Sequence, residues 1–416
     1  MKRWVGLLDC NNFFVSCERL FRPDLKDKPV LVLSSNDGCV VARSQEIRDM
    51  GIPMGMPLFQ IKDIIKDTDT TTFSSHFALY RDVSRRVFEV MRTELEQVEQ
   101  YSVDEAFFIL EGTMQEVTRR ANTIKDKVER EVGIPVSVGL ASSKTQAKYA
   151  SKLAKKTGVF VLAEDDWTAR QKDVQLRELW GVGARTAEDF KRHALATVSD
   201  LLALERRQVS QLFGVAGVRL WQELKGESAV VLARSRFAQK SILHSRSFKG
   251  TSSDIQVLKD AVAYHLREAA EDLRAMGMKA SEMQVMLGTS RHSDYVLQGG
   301  SQRVRFTNPT NDTFVLLRVG GELVEALFRP DVPYKKAGVL LFDLVPETVE
   351  QLTFFEEKEV VKTKDLSPVI DALNAKVGKG SVLVGTRLKT KDWQSSQALR
   401  SPAYTTSWKD IAVVKA

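Results

Sequence analysis

The sequence predicts a multidomain protein in which an α/β part is followed by a helical part and an α+β part. Residues 1–165 alternate short apolar strands with amphipathic helices, which is typical of the α/β class. Residues 166–233 have helical periodicity throughout, and residues 241–348 follow the order strand, helix, strand, strand, helix, strand. That order is a βαββαβ unit of ferredoxin-like type. At 416 residues the chain has room for several domains, since one domain takes roughly 100 to 200 residues.

In the α/β part, strands are predicted where short apolar runs end at polar or turn residues. These runs are Trp4–Asp9, Pro29–Leu33, Val40–Arg43, Val98–Tyr101, Ala106–Leu110, Val136–Leu140 and Val159–Leu162. Helices are predicted where apolar residues recur every three or four positions. These segments are Asn12–Leu20, His76–Leu95, Met114–Val132 and Ser143–Lys156.

Beyond residue 165 the pattern predicts several short helices as far as about Leu232, then an exposed basic linker at 234–240. The βαββαβ unit begins with a strand at Ser241. Its other elements are the helix Asp254–Met276, the strands Glu282–Leu287 and Arg303–Phe306, the helix Asp312–Phe328 and the strand Gly338–Leu344. Residues 349–416 form a polar tail with weaker periodicity.

The composition, with 43% hydrophobic and 28% charged residues, is that of an ordinary soluble protein. No apolar stretch reaches the roughly 20 residues needed to cross a membrane. The cysteines are Cys10, Cys17 and Cys39, an odd number without nearby histidine partners. A disulfide framework or zinc site is therefore not expected, and a reducing cytoplasm is the predicted compartment.

The net charge is +7, and the basic residues gather in windows that contain no acid. Residues 139–156 and 228–253 contain no Asp or Glu. Between Asp294 and Asp312 the only charged residues are Arg303 and Arg305. One such window is usually a solvated face. Three separated windows favour successive contacts to a polyphosphate backbone.

Asp104 and Glu105 stand side by side between apolar and aromatic residues, and Asp9 ends another apolar run. Carboxylates at the ends of buried strands are costly unless something compensates their charge. Divalent cations would do so, and hard oxygen ligands suit Mg²⁺. The alternative is a solvated acidic turn, because neighbouring side chains on a regular strand point to opposite faces. Both side chains reach one site only if they lie at a turn or bulge.

Two further patterns predict phosphate contacts. Gly181 and Gly183 frame one apolar residue before a helix, so that exposed amides beside the helix N-terminus could bind a DNA phosphate. An ordinary helix connection is the alternative. Between Ser142 and Lys155, four lysines lie on one helical stripe without an interleaved acid, which favours a phosphate-binding face over a solvated one. They are Lys144, Lys148, Lys152 and Lys155.

Several ordered motifs give the chain a resemblance to the Y-family of DNA polymerases, and within it to the UmuC type. They are Asp9–Glu18, Asn36–Ser44, Tyr101–Phe107, Gly139–Lys155, the segment from Leu179 to Leu201 that resembles a helix-hairpin-helix module, and the tail motif Pro402–Thr406. The resemblance runs over nearly the full length.

The resemblance implies a right-hand polymerase with palm, small fingers, helical thumb and ferredoxin-like little finger. The implied division is 1–10 and 76–165 for the palm, 11–75 for the fingers, 166–233 for the thumb with helix-hairpin-helix, 234–240 for the linker, 241–348 for the little finger and 349–416 for the tail. The implied activity is error-prone, SOS-type translesion synthesis. It adds dNTPs to the 3′ end of a primer by two-metal phosphoryl transfer.

The same resemblance assigns the site residues. Asp9, Asp104 and Glu105 would be catalytic and would hold two Mg²⁺ ions, with the backbone carbonyl of Cys10 as a further ligand. Phe14 occupies the steric-gate position, beside Phe13. Packing is the alternative role for both rings. Arg48 and Lys155 match the cations on the incoming triphosphate, whereas Gln45 stands where many relatives have Tyr.

The predicted DNA-binding residues are Lys148, Lys152, Gly181, Gly183, Arg185, Lys240, Arg246, Lys249, Arg303 and Arg305. A short segment of the tail resembles the sliding-clamp-binding peptide of bacterial polymerases, a plausible ligand for a hydrophobic groove. Its residues are Gln351, Leu352, Phe354 and Phe355.

The implied partners are primer-template DNA, dNTP, the sliding clamp, a UmuD′-like accessory subunit and the recombinase filament. Three alternatives stay open at this point. They are a stand-alone DinB-type bypass polymerase, a DNA-binding scaffold that lost its chemistry, and another palm-like Mg²⁺ enzyme such as a nucleotide cyclase. The three carboxylates speak against the scaffold, and the distal basic windows speak against a small-molecule enzyme.

Overall fold

The computed structural model describes residues 2–228, 230, 232, 239–290, 299–348, 366–378, 380–383, 393 and 397–411. The chain forms two compact units. The first comprises Met1–Arg236 with Ala398–Ala416, and the second comprises Phe237–Gln397. Within the described parts of the chain, no helix is both long and apolar enough to span a membrane.

The centre of the first unit is a five-stranded sheet in the order β5-β6-β1-β7-β8. Its strands are β1 (Arg3–Cys10), β5 (Val98–Gln100), β6 (Glu105–Glu111), β7 (Val136–Ala141) and β8 (Val159–Val161). β1 is antiparallel to both of its neighbours, β6 and β7. The three central strands, β1, β6 and β7, are largely apolar because both faces of the sheet are covered.

Helices cover the two faces of this sheet, as the alternation of side chains along a strand requires. Leu8 packs in the core that contains α4 (Phe77–Glu94) and α5 (Met114–Val132). Leu7 faces the opposite core, which contains α6 (Lys144–Ala154). The palm strands and helices predicted from the sequence are thereby confirmed, with shifts of one to a few residues at their ends.

Gly139 lets α6 lie directly on β7. A Cβ at this position would stand 2.0 Å from the Ser151 amide nitrogen and 2.6 Å from the Ala147 carbonyl oxygen. Because glycine has no side chain, the backbone of α6 can contact β7 directly. This close approach seats the lysine-bearing helix against the sheet.

A three-stranded sheet in the order β3-β2-β4 lies between the first strand and α4 in the sequence. The elements of this region are α1 (Phe13–Phe21), β2 (Val30–Leu33), β3 (Val40–Arg43), α2 (Gln45–Asp49), α3 (Lys62–Asp67) and β4 (Thr71–Ser74). The sequence did not predict α2, α3 or β4. The two helices are too short to show a period, and β4 is mostly polar.

Four helices follow the first sheet, and together they bury a core that includes Trp167, Phe190 and Trp221. They are α7 (Glu164–Arg170), α8 (Ala184–Arg192), α9 (Val198–Leu202) and α10 (Arg206–Leu224). The last helix is broken at Gly214, which has φ 62° and ψ −158°. Such a backbone is accessible to glycine at little cost.

The second unit contains a four-stranded antiparallel sheet in the order β11-β10-β12-β9. Its elements are β9 (Ser241–Ser252), α11 (Ile255–Ala275), β10 (Met278–Thr289), β11 (Gly300–Thr310), α12 (Thr313–Leu327) and β12 (Tyr334–Pro346). Each helix joins two parallel strands that flank a third strand, which is the split βαβ arrangement. The predicted βαββαβ order is confirmed, with strands longer than the apolar runs indicated.

The tail differs from the polar segment that the sequence predicts. The helix α13 (Ser367–Val377) is held to α11 by the ion pair of Asp371 with Arg274. Trp393 is buried in the core of the same unit, where its Nε1 donates to Asp260 at 2.6 Å. Of the tail residues 397–411, those from Ala398 onward belong to the first unit. Isolated apolar anchors in a polar sequence carry no period, so pattern analysis missed them.

Candidate active site

Asp9 and Glu105 are cross-strand partners at the ends of β1 and β6. Asp104 precedes β6 in a tight turn, in which the amides of Tyr101 and Ser102 both donate to the Glu105 carbonyl, at 3.0 and 3.1 Å. Because Asp104 lies in this turn, the rule that neighbouring side chains on a regular strand point to opposite faces does not separate Asp104 from Glu105. Opposed residues of an antiparallel pair have Cβ atoms about 5 Å apart, so the carboxylates of Asp9 and Glu105 face one region.

Ser102 orients the third carboxylate. Its hydroxyl donates to Asp104 Oδ1 at 2.5 Å and accepts from the Asp104 amide at 3.2 Å. The Cys10 amide donates to the Asp104 carbonyl at 2.9 Å, which ties this turn to β1. Burial raises the pKa of the Cys10 thiol, and the negative charges of Asp104 and Asp9 raise this pKa further. The negative charges of Asp9 and Asp104 therefore both act on the residue that ends β1.

Glu105 is a carboxylate with a perturbed pKa. Burial raises its pKa, as does the nearby carboxylate of Asp9, while the Lys148 ammonium lowers it. Lys148 Nζ donates to both oxygens of Glu105, at 2.7 and 2.6 Å. The positive charge beside this buried carboxylate therefore comes from Lys148.

Each lysine of the α6 stripe has an acidic partner from elsewhere in the chain. Lys144 pairs with Glu99 at 2.7 Å, and Lys152 pairs with Glu178 at 2.7 Å. Lys155 donates to Asp9, and also to Asn11 Oδ1 at 3.0 Å. The sequence shows no acid within the stripe, and these partners, which come from distant segments, leave no trace in a local window. That Lys148 and Lys152 contact DNA stays a prediction.

The donor set fits a divalent cation in its chemistry. Within the described ranges, no group of three or more His, Cys, Asp or Glu side chains is arranged as it stands to hold a metal. The carboxylates of Asp9 and Glu105 nevertheless lie on paired residues at the ends of β1 and β6, with Asp104 in the adjoining turn, and burial raises the pKa of Glu105. Carboxylate oxygens are the ligands that Mg²⁺ prefers. The ligand role of the Cys10 carbonyl stays a prediction.

A cleft of about 420 Å³ opens on one side of these carboxylates. The structure brings most of the predicted nucleotide site together in its lining, including Asp9, Cys10, Phe13, Phe14, Arg48 and Lys155. Asp104 lines it too. Gln45 instead donates a hydrogen bond from Nε2 to Asp49 Oδ1, at 2.7 Å.

The rings of Phe13 and Phe14 have different surroundings. Phe13 is buried in the core and reaches the cleft at its edge. Phe14 is only half-buried and stacks on Tyr80, with ring centroids 4.4 Å apart and planes inclined by 16°. Phe77 meets it edge-on at 5.9 Å. Phe14 thus stands on an aromatic support and faces the cleft.

A second cleft, of about 240 Å³, lies on the side of α6 and the helical segment. Asp9 and Lys155 line it, as they line the first, together with Lys148, Lys152 and Trp180. The Asp9 carboxylate therefore stands between two openings. This arrangement can receive a nucleotide on one side and a strand end on the other.

The turn at Gly181 and Gly183 is exposed just before α8, together with Arg185. Gly181 has φ +85°, and no atom lies within 4 Å of a Cβ placed on either glycine. The break at Gly214 exposes a second glycine turn that the sequence analysis missed, with 69% of Val215 accessible. The spacing of Gly214 and Gly217 in the sequence was the available signal.

In the second unit, the predicted DNA contacts Arg303 and Arg305 lie two residues apart on β11 and both pair with buried Glu282 of β10. Arg246 lies on β9 with its guanidinium 5.9 Å from the Tyr264 ring centre. Lys240 and Lys249 are exposed. The DNA contacts of these residues stay predictions, and Gln351, Leu352, Phe354 and Phe355 lie outside the described residues.

Comparisons with known families match three segments of the chain. The impB/mucB/samB family matches residues 8–152, its C-terminal domain matches residues 239–354, and a domain of unknown function (DUF4113) matches residues 364–414. The protein UmuC of Salmonella typhimurium is 33% identical over 99% of this chain and 100% of its own length. MucB of Escherichia coli is 31% identical over 98% of this chain and 99% of its own length.

A polymerase and solved structures are also similar. DNA polymerase IV of Corynebacterium diphtheriae is 28% identical over 98% of this chain and 90% of its own length. The Y-family DNA polymerase chimera Dbh-Dpo4(243-245)-Dbh has a TM-score of 0.69 at 19% identity, and covers 82% of this chain and 99% of its own. DinB from Sulfolobus solfataricus has a TM-score of 0.53 at 19% identity, with the same coverage. The fold is therefore that of these polymerases, and the chain belongs to the impB/mucB/samB family, the UmuC type of the Y-family DNA polymerases.

Proposed function

We propose that the carboxylate cluster at the ends of β1 and β6 catalyses template-directed addition of dNTPs to a primer 3′ end during translesion synthesis. The observation that carries the proposal is the cross-strand pairing of Asp9 with Glu105, with Asp104 in the adjoining turn and a cleft on either side. Phosphoryl transfer of this kind depends on positioning and on neutralisation of charge more than on covalent chemistry.

Asp9, Asp104 and Glu105 would hold two Mg²⁺ ions, with the Cys10 carbonyl as a further ligand. When bound, such ions activate the attacking oxygen and stabilise the leaving one. The protein side chains do the rest. Lys155 and Arg48 line the nucleotide cleft and would bind the triphosphate, while Lys148 holds Glu105 in place. Phe14 would lie under the sugar and exclude a ribose 2′-OH.

The duplex would be held by phosphate contacts that do not read sequence. The open turn at Gly181 and Gly183, with Arg185 beside it, supports this role in the first unit. The lysines of α6 and the basic residues of the second unit would add charge contacts. They are Lys148, Lys152, Lys240, Arg246, Lys249, Arg303 and Arg305.

Further partners follow from the UmuC type of the family. We place a UmuD′-like accessory subunit, the recombinase filament and the sliding clamp among them, with Gln351, Leu352, Phe354 and Phe355 as the clamp-binding peptide. Free cysteines at 10, 17 and 39 suit a cytoplasmic protein. A stand-alone DinB-type polymerase is the second candidate, supported by the similarity to DNA polymerase IV. The match of 364–414 in the tail is our reason for preferring the UmuC type.

The test is extension of a primed template that carries a single abasic site. Reactions are compared with and without Mg²⁺, the clamp and a UmuD′-like subunit. We expect extension past the lesion that requires Mg²⁺ and rises with the accessory subunit. Full activity of the chain alone would favour the DinB type. No extension of an undamaged primed template under any condition would refute the polymerase assignment and favour a scaffold.

A further inference from the structure

The C-terminal segment 398–411 packs against elements of the same unit that carry aromatic rings of the nucleotide cleft. The Ser74 amide donates to the Leu399 carbonyl at 3.0 Å, and the Leu399 amide donates to Ser74 Oγ at 3.0 Å. These bonds place Arg400 beside the edge strand β4 in a parallel bridge. Tyr404 stacks on Phe21 of α1, with centroids 4.7 Å apart and planes inclined by 7°.

Ser401, the next residue along, reaches the interior. Its side chain is buried, and its Oγ shares a hydrogen bond of 3.1 Å with Nδ1 of buried His76. Glu18 of α1 lies near this serine. Burial raises the pKa of that carboxyl, while the hydroxyls of Tyr80 and Ser401 lower it. The hydrogen bond of Ser401, however, goes to His76 at the start of α4, and Glu18 accepts its bond from Tyr80.

The surroundings of both residues lead to Phe14. Glu18 accepts a hydrogen bond of 2.6 Å from the Tyr80 hydroxyl, and the Tyr80 ring is the one on which Phe14 stacks. His76 is the N-cap residue of α4, and Phe77, which follows it, meets the Phe14 ring edge-on. The hydrogen-bonded route from Ser401 to Phe14 therefore runs through His76 and Phe77.

We propose that Ser401 is a positioning residue for Phe14: it fixes the Phe14 ring through His76 and Phe77 and so sets the discrimination of this polymerase between deoxyribose and ribose. The proposal rests on the proposed function of Phe14 as the sugar-facing ring. Discrimination of this kind is sensitive to small displacements, because a shift of the ring opens the space in which a 2′-OH would clash. A residue far from the chemistry can act in this way by the geometry that it imposes.

The experiment uses the full-length protein and measures kcat/KM for one dNTP and the matching rNTP opposite the same template base. Ser401→Ala should raise the rNTP/dNTP ratio by about tenfold, as expected when a buried hydrogen bond worth about 1–2 kcal/mol is lost. Its kcat for the dNTP should stay within about twofold of wild type. Ser407→Ala, a matched change in the same segment, should leave the ratio unchanged.

A purely structural role is separated by a double-mutant cycle. His76→Leu removes the ring nitrogens and keeps an apolar side chain, so it should raise the ratio as Ser401→Ala does. The double variant should add little to either, because both changes break the same hydrogen bond. If Ser401→Ala cannot be purified, Ser401→Cys fills the same space with a weaker hydrogen-bonding group, and its ratio should rise by a smaller factor.

Phe14→Ala is the reference that distinguishes the two proposals. This variant should raise the rNTP/dNTP ratio strongly. If Phe14→Ala raises the ratio and Ser401→Ala lowers both efficiencies equally, the positioning role is overturned while the gate stands. Full additivity with His76→Leu would overturn it as well. If Phe14→Ala itself leaves the ratio unchanged, the gate is refuted and the role of Ser401 falls with it.

Discussion

Lys155 donates a hydrogen bond to the Asp9 carboxylate across 146 residues of sequence. The contact exists because α6 lies directly on β7, where Gly139 leaves no room between helix and strand. Lys155 is the C-cap residue of that helix and lines both clefts beside Asp9. It is therefore placed to meet a negative group that enters from either side.

Replacement of Lys155 by Met should impair nucleotide binding more than DNA binding. A hydrogen bond to a charged group contributes about 1.5–3 kcal/mol, so we expect KM for the dNTP to rise roughly ten- to a hundredfold. Steady-state single-nucleotide insertion gives the KM, and fluorescence anisotropy gives the affinity for primer-template. Lys156→Met, at the exposed neighbour, is the control. Equal effects of the two variants would remove Lys155 from the triphosphate site.

Asp104→Ala should abolish extension and leave the fold and the DNA affinity nearly intact. The side chain is held by Ser102 and supports no core residue. Loss of one of the proposed metal-ligand carboxylates should lower kcat at least a thousandfold, equivalent to about 4 kcal/mol of barrier. Primer extension and thermal unfolding measure the two effects, with Asp63→Ala at an exposed position as the control. Retention of full activity would refute the metal assignment.

Gly183→Ala tests the exposed turn before α8. The backbone φ of −80° suits any residue, and no atom lies within 4 Å of the added methyl group, so the melting temperature should not change. The methyl group would stand where a phosphate approaches the amides, so DNA affinity should fall about five- to tenfold, or roughly 1 kcal/mol. Gly321→Ala in α12, also in open space, should leave DNA affinity unaltered. An unchanged affinity for Gly183→Ala would assign the turn to chain connection alone.

Stability should fall as the pH is lowered from 7.5 to 5. Burial lowers the pKa of His76 to about 4 and that of His265 to about 3, so both stay neutral when folded. The unfolded chain binds these protons below about pH 6.5, and each histidine then costs about 2 kcal/mol of stability at pH 5. Thermal unfolding at several pH values measures this slope. His76→Asn and His265→Asn should each flatten it, and an unaltered slope in both would contradict the prediction.

The palm was predictable from sequence because its strands are buried on both faces. Continuous apolar runs such as Trp4–Asp9 give a strong local signal. Asp9 was conspicuous for the same reason, since a carboxylate that ends such a run needs compensation. That Asp9 would stand opposite Glu105 required the antiparallel register, which the structure supplies.

The rest depended on contacts between distant residues. Lys148 looked unpaired within its helix, yet its partner Glu105 comes from a strand 43 residues earlier. The strand β4 is mostly polar and lies at the edge of its sheet, where it is half-buried at its start and its outer side is bridged at Ser74 by the C-terminal segment. Trp393 and Tyr404 anchor the tail singly, so neither adds to a periodic pattern. No local pattern encodes such pairings.

The contact between His76 and Ser401 spans 325 residues of sequence. A ribosome that adds about 5 to 20 residues per second needs roughly 15 to 65 s to cover that interval. During this time the outer edge of β4 lacks its bridge to Arg400, and the His76 imidazole lacks its serine. Nascent chains of this polymerase should therefore be recognised by chaperones until residues 398–411 emerge. A premature stop before codon 398 should yield a product that keeps every carboxylate of the site and still fails quality control.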